Sequence, residues 1–141
     1  MKMSIFALSI LLVVSALADA SSDIRAVLQA QQDAWNRGDI DAFMNGYWRS
    51  DQTVFVGGDV RRGWQHVLDY YKTKYSDREK MGTLSFSDFE ITPLGTDAAL
   101  VLGSWKLDFG TKNVHGKTTL IFRHFDEGWR IVHDHSSAAT P

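Results

Sequence analysis

Gly128-Trp129-Arg130-Ile131-Val132-His133-Asp134-His135-Ser136-Ser137 is the stretch on which the fold turns. Apolar and polar residues alternate through it, as they do in a strand with one buried face, and Asp126-Glu127-Gly128 before it is a tight turn. Across that turn Thr118 to Phe125 forms a second strand, with Leu120 and Phe122 on one face and Ile121 and Arg123 on the other. Thr111 to Asn113 connects this hairpin to a third strand, where Ala99, Val101, Gly103, Trp105, Leu107 and Phe109 share a face. Upstream again, Leu84 and Phe86 alternate on one parity and Phe89 and Ile91 on the other, which predicts a bulge or sharp bend near Ser87-Asp88.

Before Gly82 the period changes to that of helices. Ile24, Val27, Leu28, Ala30, Ala34 and Trp35 recur at helical spacing, with Ser22 or Asp23 to cap the start and Gly38 to stop it. Asp39 can cap a second, shorter helix carrying Ile40, Phe43, Met44, Tyr47 and Trp48. Thr53 to Val56 is a short strand and Gly57-Gly58-Asp59 a turn. Arg61 to Gly63 then lead into a third helix with Trp64, Val67, Leu68, Tyr71 and Tyr75 on one stripe. Helices followed by hairpin-linked strands define an α+β domain.

Residues 1–20 have a different grammar. Lys2 precedes an apolar run from Ile5 to Ala18 that closes on Ala18-Asp19-Ala20, the pattern of a signal peptide and too short for a membrane span. Cleavage there leaves residues 21–141 as a single domain, exported to a periplasm or to the medium and with no membrane attachment thereafter. At 44% hydrophobic and 12% aromatic, the chain can bury a core without help. It contains no cysteine, which excludes disulfides, thiolate nucleophiles and cysteine metal sites. A net charge of −2, with lysines and arginines scattered among acids, leaves no basic stripe for nucleic acid. No residue pattern calls for a cofactor.

Three stretches resemble one superfamily: Trp35 to Asp41 between the first helices, Thr53 to Val56 before an Arg-Gly-initiated helix, and Gly128 to Ser137 at the end. Together they are similar to SnoaL-like and kinase association-domain members of the nuclear transport factor 2-like group. The resemblance implies a cystatin-like cone: a strongly curved antiparallel sheet wrapped around three N-terminal helices, with a pocket at the open end and a homodimer packed through the sheet. It does not fix a reaction, because members include isomerases, cyclases, dehydratases, adaptors and assembly hubs.

The group's enzyme residues can be sought position by position. Aligned on Asn36-Arg37-Gly38-Asp39, the steroid-isomerase tyrosine falls at Gln31, its base at Phe55 or Val56 and its oxyanion acid at Leu120, so that chemistry has no base here. The arginines of the calcium/calmodulin-dependent kinase II hub fall at Ser104, Leu120 and Ser136, none of them basic, with Arg123 or Arg130 as substitutes if the register shifts by one. What remains is an aromatic, mostly uncharged pocket whose expected walls are Gln31, Trp35, Trp48, Phe55, Tyr71, Trp105, Leu120 and Phe122. Five tryptophans favour a flat apolar ligand.

His133 and His135 flank Asp134 and on a regular strand leave the same face roughly 7 Å apart. They admit three readings. One is half of a metal site, for which His115 or His124 would have to converge. Another is a general acid/base with His133, Asp134 or His135 moving a proton in a lyase, isomerase or cyclase. The third is a structural pair at a sheet face or dimer interface. Strand parity groups Trp129, Ile131, His133 and His135 toward the core, whereas the resemblance turns Asp134 and Ser136 inward; a bulge would reconcile the two. A small-molecule-binding or association module needs no missing residue, and the acid/base enzyme is its alternative.

Overall fold

The computed structural model describes residues 4–140. Helix α1 runs from Ser4 to Asn36 without a break at the expected cleavage point; residues 1–3 of the leader lie outside the described residues. Its packed stripe begins at Ile24 and continues through Leu28, Gln31, Ala34 and Trp35, all buried, whereas Ile10, Val14 and Leu17 are exposed. Gly38 takes φ 80, a left-handed turn that lets Asp39 N reach back to Ala34 O at 2.9 Å and closes the helix. Among the described residues no helix is long and apolar enough to cross a membrane.

Helix α2 (Ile40–Met44) follows at once, with the Asp39 carboxylate accepting from Ala42 N at 2.9 Å. Truncating that cap in Asp39→Ala is expected to cost about 1 kcal/mol, read as a lower midpoint in thermal unfolding. The adjacent Arg37–Asp39 ion pair is exposed and 3.7 Å long, so the cap and not the pair carries the effect.

The chain then lies alongside the last strand. Ile131 N donates to Gly46 O, and Trp48 N to Ile131 O, both at 2.9 Å. Strands β1 (Val54–Val56) and β2 (Val60–Arg62) form a small hairpin, followed by α3 (Trp64–Lys74), a one-turn α4 (Arg78–Met81), and the long strands β3 (Thr83–Pro93), β4 (Ala98–Asp108), β5 (Asn113–Phe125) and β6 (Gly128–Ala138). One six-stranded sheet results, ordered β2-β1-β6-β5-β4-β3, curved and unclosed.

Two details correct the sequence reading. The sheet is not wholly antiparallel, because β1 pairs parallel to β6, with Val54 opposite His133 and Phe55 opposite Asp134. The helices number four among the described residues, and Arg61 and Arg62, which with Gly63 lead into α3 as expected, also belong to a strand, Val60–Arg62, held by its pairing with β1.

Helix α1 also seals the free edge of β3. The Asn36 side chain accepts from Leu84 N at 2.7 Å and donates to Leu84 O at 2.9 Å, and Gln32 Oε1 accepts from Phe86 N at 2.7 Å. An edge that would otherwise offer unpaired backbone groups is thereby closed by side chains. The bend expected near Ser87-Asp88 is present: Asp88 has φ 57, and pairing with β4 shifts between Ser87 and Glu90.

A second bulge was not legible in the sequence. Ile121 pairs with His133 but Phe122 with Ile131, so Val132 is an extra residue in β6. Facing therefore flips after Ile131. Trp129, Ile131 and Asp134 are buried, while His133 is half-buried and His135 exposed.

Candidate functional site

On the concave side the helices do not fill the sheet. A cavity of ≈ 910 Å³ remains between α1, α3 and strands β3 to β6, opening where the β1–β2 turn, the end of α3 and the β4–β5 turn meet. Gln31, Trp35, Phe55, Tyr71, Trp105 and Leu120 line it, as expected from the sequence. Phe43, Tyr47, Tyr70 and Tyr75 add further rings on the helical side, and polar and charged side chains such as Lys74, Lys80, Lys112, Thr118 and Ser136 complete the wall.

Two expected wall residues are elsewhere. Trp48 turns away from Tyr47 and stacks on Phe125, ring centroids 5.1 Å apart and nearly parallel. Phe122 is wholly buried in the core and does not reach the cavity. Aromatic residues at strand or helix spacing look alike whether they wall a cavity or fill a core.

The histidines separate from the aspartate between them. The Val132 bulge sends Asp134 and Ser136 inward and leaves His133 off the cavity wall; His135 is exposed and is among the lining residues, as are Gly57 and Gly58. An acid/base role for His133 therefore lacks access to the cavity, and His135, though among its lining residues, is exposed to solvent. Nor do His115 and His124 join them, since among the described residues no three histidine or acidic side chains are placed to share a metal ion.

Asp134 is only 5% exposed, and its partners come from three elements. Tyr47, from the loop after α2, donates its hydroxyl to Oδ2 at 2.6 Å. Ser136, two residues on in β6, stands 2.7 Å from Oδ1, and Thr118 of β5 stands 3.4 Å from the same oxygen. Ser136 and Thr118 are themselves 2.9 Å apart. The Tyr71 hydroxyl adjoins that of Tyr47 and feels the same carboxyl.

Burial pushes the Asp134 carboxyl above the ordinary carboxylate range, against the hydrogen bonds of Tyr47, Ser136 and Thr118, which pull it down. Burial first, and the Asp134 charge second, hold Tyr47 and Tyr71 well above their ordinary value, so both remain protonated donors.

A raised carboxyl has a definite sign in the stability profile. Below the unfolded-state value, about 4, both states hold the proton and Asp134 contributes nothing. As pH rises the unfolded chain ionises first and stability falls, until the folded carboxyl ionises too and the loss becomes constant. Asp134→Asn removes this loss. We expect the variant to melt above wild type at pH 8, the gap closing toward pH 4; a variant that melts below wild type at pH 8, with that deficit closing toward pH 4, would show a carboxylate stabilised by its site.

The sequence model of the SnoaL-like domain family matches residues 24–141. A nuclear transport factor 2-like protein of unknown function from Shewanella oneidensis is 41% identical, with a TM-score of 0.80 over 83% of this chain and 98% of its own. A ketosteroid isomerase-like protein from Erwinia carotovora atroseptica, 20% identical, superposes with a TM-score of 0.68 over 85% of this chain and 96% of its own. A calcium/calmodulin-dependent protein kinase II association-domain-like protein from Xanthomonas campestris, 17% identical, gives 0.64 over 82% and 85%. The last two show the fold alone. No curated protein matches the sequence.

Proposed function

The chain belongs to the SnoaL-like domain family, and from that premise we propose that it is an exported domain binding a small, largely apolar molecule in its aromatic cavity. One observation carries the reading: a buried carboxyl, held by a tyrosine at 2.6 Å, stands in the wall of a cavity lined by a cluster of aromatic rings together with aliphatic and polar side chains. Its ≈ 910 Å³ falls within the range of sites that enclose small ligands, which combine apolar walls with a few placed polar groups. Export is supported by the apolar run of residues 1–20 and by the exposure of Ile10, Val14 and Leu17, which find no place in the core.

Titrating residues 21–141 with the uncharged dye N-phenyl-1-naphthylamine tests the binding. We expect a saturable, one-to-one rise in fluorescence at micromolar dye; a linear, unsaturable signal counts against an open cavity.

A proton-transfer enzyme is the second reading, favoured by the upward displacement of Asp134 and its contact with Tyr47. Of the three candidates His133, Asp134 and His135, it places the proton transfer on Asp134. Turnover of a cyclic ketone or hydroxy compound that disappears in Asp134→Asn while binding persists would establish it.

Association through the outer sheet face is part of the same proposal. Two rows cross that face, Leu100–Ile121–His133–Val54 and Leu102–Thr119–His135–Val56, each in direct cross-strand register. Leu102 is 42% exposed at their edge, an apolar side chain without a cover. A second copy packed there would use the histidines structurally, and sedimentation of residues 21–141 as a monomer at micromolar concentration would exclude it.

A further inference from the structure

We propose that the occupant of this cavity is a cation, an amine carried on an aromatic or alicyclic body, whose ammonium group pairs with Asp134 while its rings lie against the aromatic wall. The inference rests on the cavity being a ligand site and assigns the class of ligand.

Among the described residues Asp134 is the one acidic side chain buried to this degree, and it takes part in none of the ion pairs. Its hydrogen-bonding neighbours are all hydroxyls: Tyr47, Ser136 and Thr118. The nearest imidazole on its own strand, His133, is off the cavity wall and is the weakest of the influences that pull the Asp134 carboxyl down. Three hydroxyls arranged around two carboxylate oxygens supply donors to the anion and leave acceptor capacity unused, because a carboxylate offers about four lone-pair sites. What the hydroxyls cannot supply is countercharge. A charge out of water needs a paired partner, and here the cavity is the free side from which one can arrive.

The wall suits the same class of guest. Trp35 meets Phe43 at 5.2 Å, Phe43 meets Tyr71 at 5.3 Å, and Tyr71 meets Phe55 at 5.6 Å, so these cavity-lining rings form one continuous cluster. Ring faces carry negative charge density and attract ammonium groups, most strongly where water is excluded. Three lysines line the cavity, each with a neighbour other than Asp134: Lys80 Nζ is 3.0 Å from the Asp77 carboxylate, Lys74 Nζ is 3.0 Å from the Tyr70 hydroxyl, and Lys112 Nζ lies 5.6 Å from the Phe109 ring centroid. The displacement of the Asp134 carboxyl by burial agrees with a site lacking its countercharge.

Three probes of nearly one shape decide the matter by calorimetry at pH 7.5: 1-naphthylmethylamine (a cation), 1-naphthylmethanol (neutral) and 1-naphthoate (an anion). Residues 21–141 should bind the amine at least tenfold more tightly than the alcohol, and the anion most weakly. Asp134→Asn should erase the preference for the amine, bringing the affinities of amine and alcohol to within threefold of each other. Equal affinity for amine and alcohol in the wild type overturns the cation assignment and leaves the cavity reading intact. Tighter binding of the anion also overturns it and moves recognition to the lysines of the mouth. Failure of all three probes to bind contradicts the cavity reading itself. The wild-type ranking suffices if the variant does not fold.

Discussion

Gly116→Val should melt about 10 °C or more below wild type, because Gly116 is buried where the end of β6 lies against β5. A Cβ added at Gly116 would overlap the carbonyl of Ser137, coming within 2.8 Å of its carbon, and would stand 2.9 Å from Cζ2 of Trp105. The first of these neighbours is backbone and cannot swing aside, so β5 and β6 must part where Gly116 faces Ala138. Overpacking of this kind costs about 3 kcal/mol when main chain must move, which for a domain of this size corresponds to the shift stated. Gly58→Val is the control, since nothing lies within 4 Å of a Cβ built there and the turn is not strained by one. Thermal unfolding followed by circular dichroism measures both, and equal midpoints would show that β6 does not approach Gly116 as closely as described.

Much of this fold was legible because its signals are local. The stripe of Ile24, Leu28, Ala34 and Trp35, the alternation through β4 and the change of parity at Ser87-Asp88 each lie within one element, and each is present. The Val132 bulge left no such mark. Trp129, Ile131, His133 and His135 alternate without interruption, and an extra residue in a strand changes facing without changing composition. The site was hidden for a related reason. Tyr47 and Asp134 are 87 residues apart, and a tyrosine on an apolar stripe looks like packing until its hydroxyl is seen against a carboxyl. Trp35 and Trp48 illustrate the limit: both are aromatic and helix-associated, but the parallel contact with Ile131 aims Trp48 at Phe125 and away from the cavity.

Filling the cavity should produce the largest loss of binding. Leu120 lies in the middle of the concave face, pairs with Asp134 across the β5–β6 ladder and is only 3% exposed. In Leu120→Trp the added rings have open space in front of them, so the volume that would strain a filled core here occupies the ligand's place. We expect affinity for N-phenyl-1-naphthylamine to fall at least thirtyfold with a melting temperature close to wild type. Trp48→Ala, which removes an indole outside the cavity, should leave that affinity unchanged.

The five tryptophans provide a direct readout of where a ligand sits. Trp35 and Trp105 line the cavity, whereas Trp48, Trp64 and Trp129 do not. In proton–nitrogen correlation spectra of residues 21–141, saturating N-phenyl-1-naphthylamine should displace the indole N–H signals of Trp35 and Trp105 and leave the other three in place. Displacement confined to Trp48, Trp64 or Trp129, or no displacement at saturating dye, would contradict a ligand cavity walled by these residues.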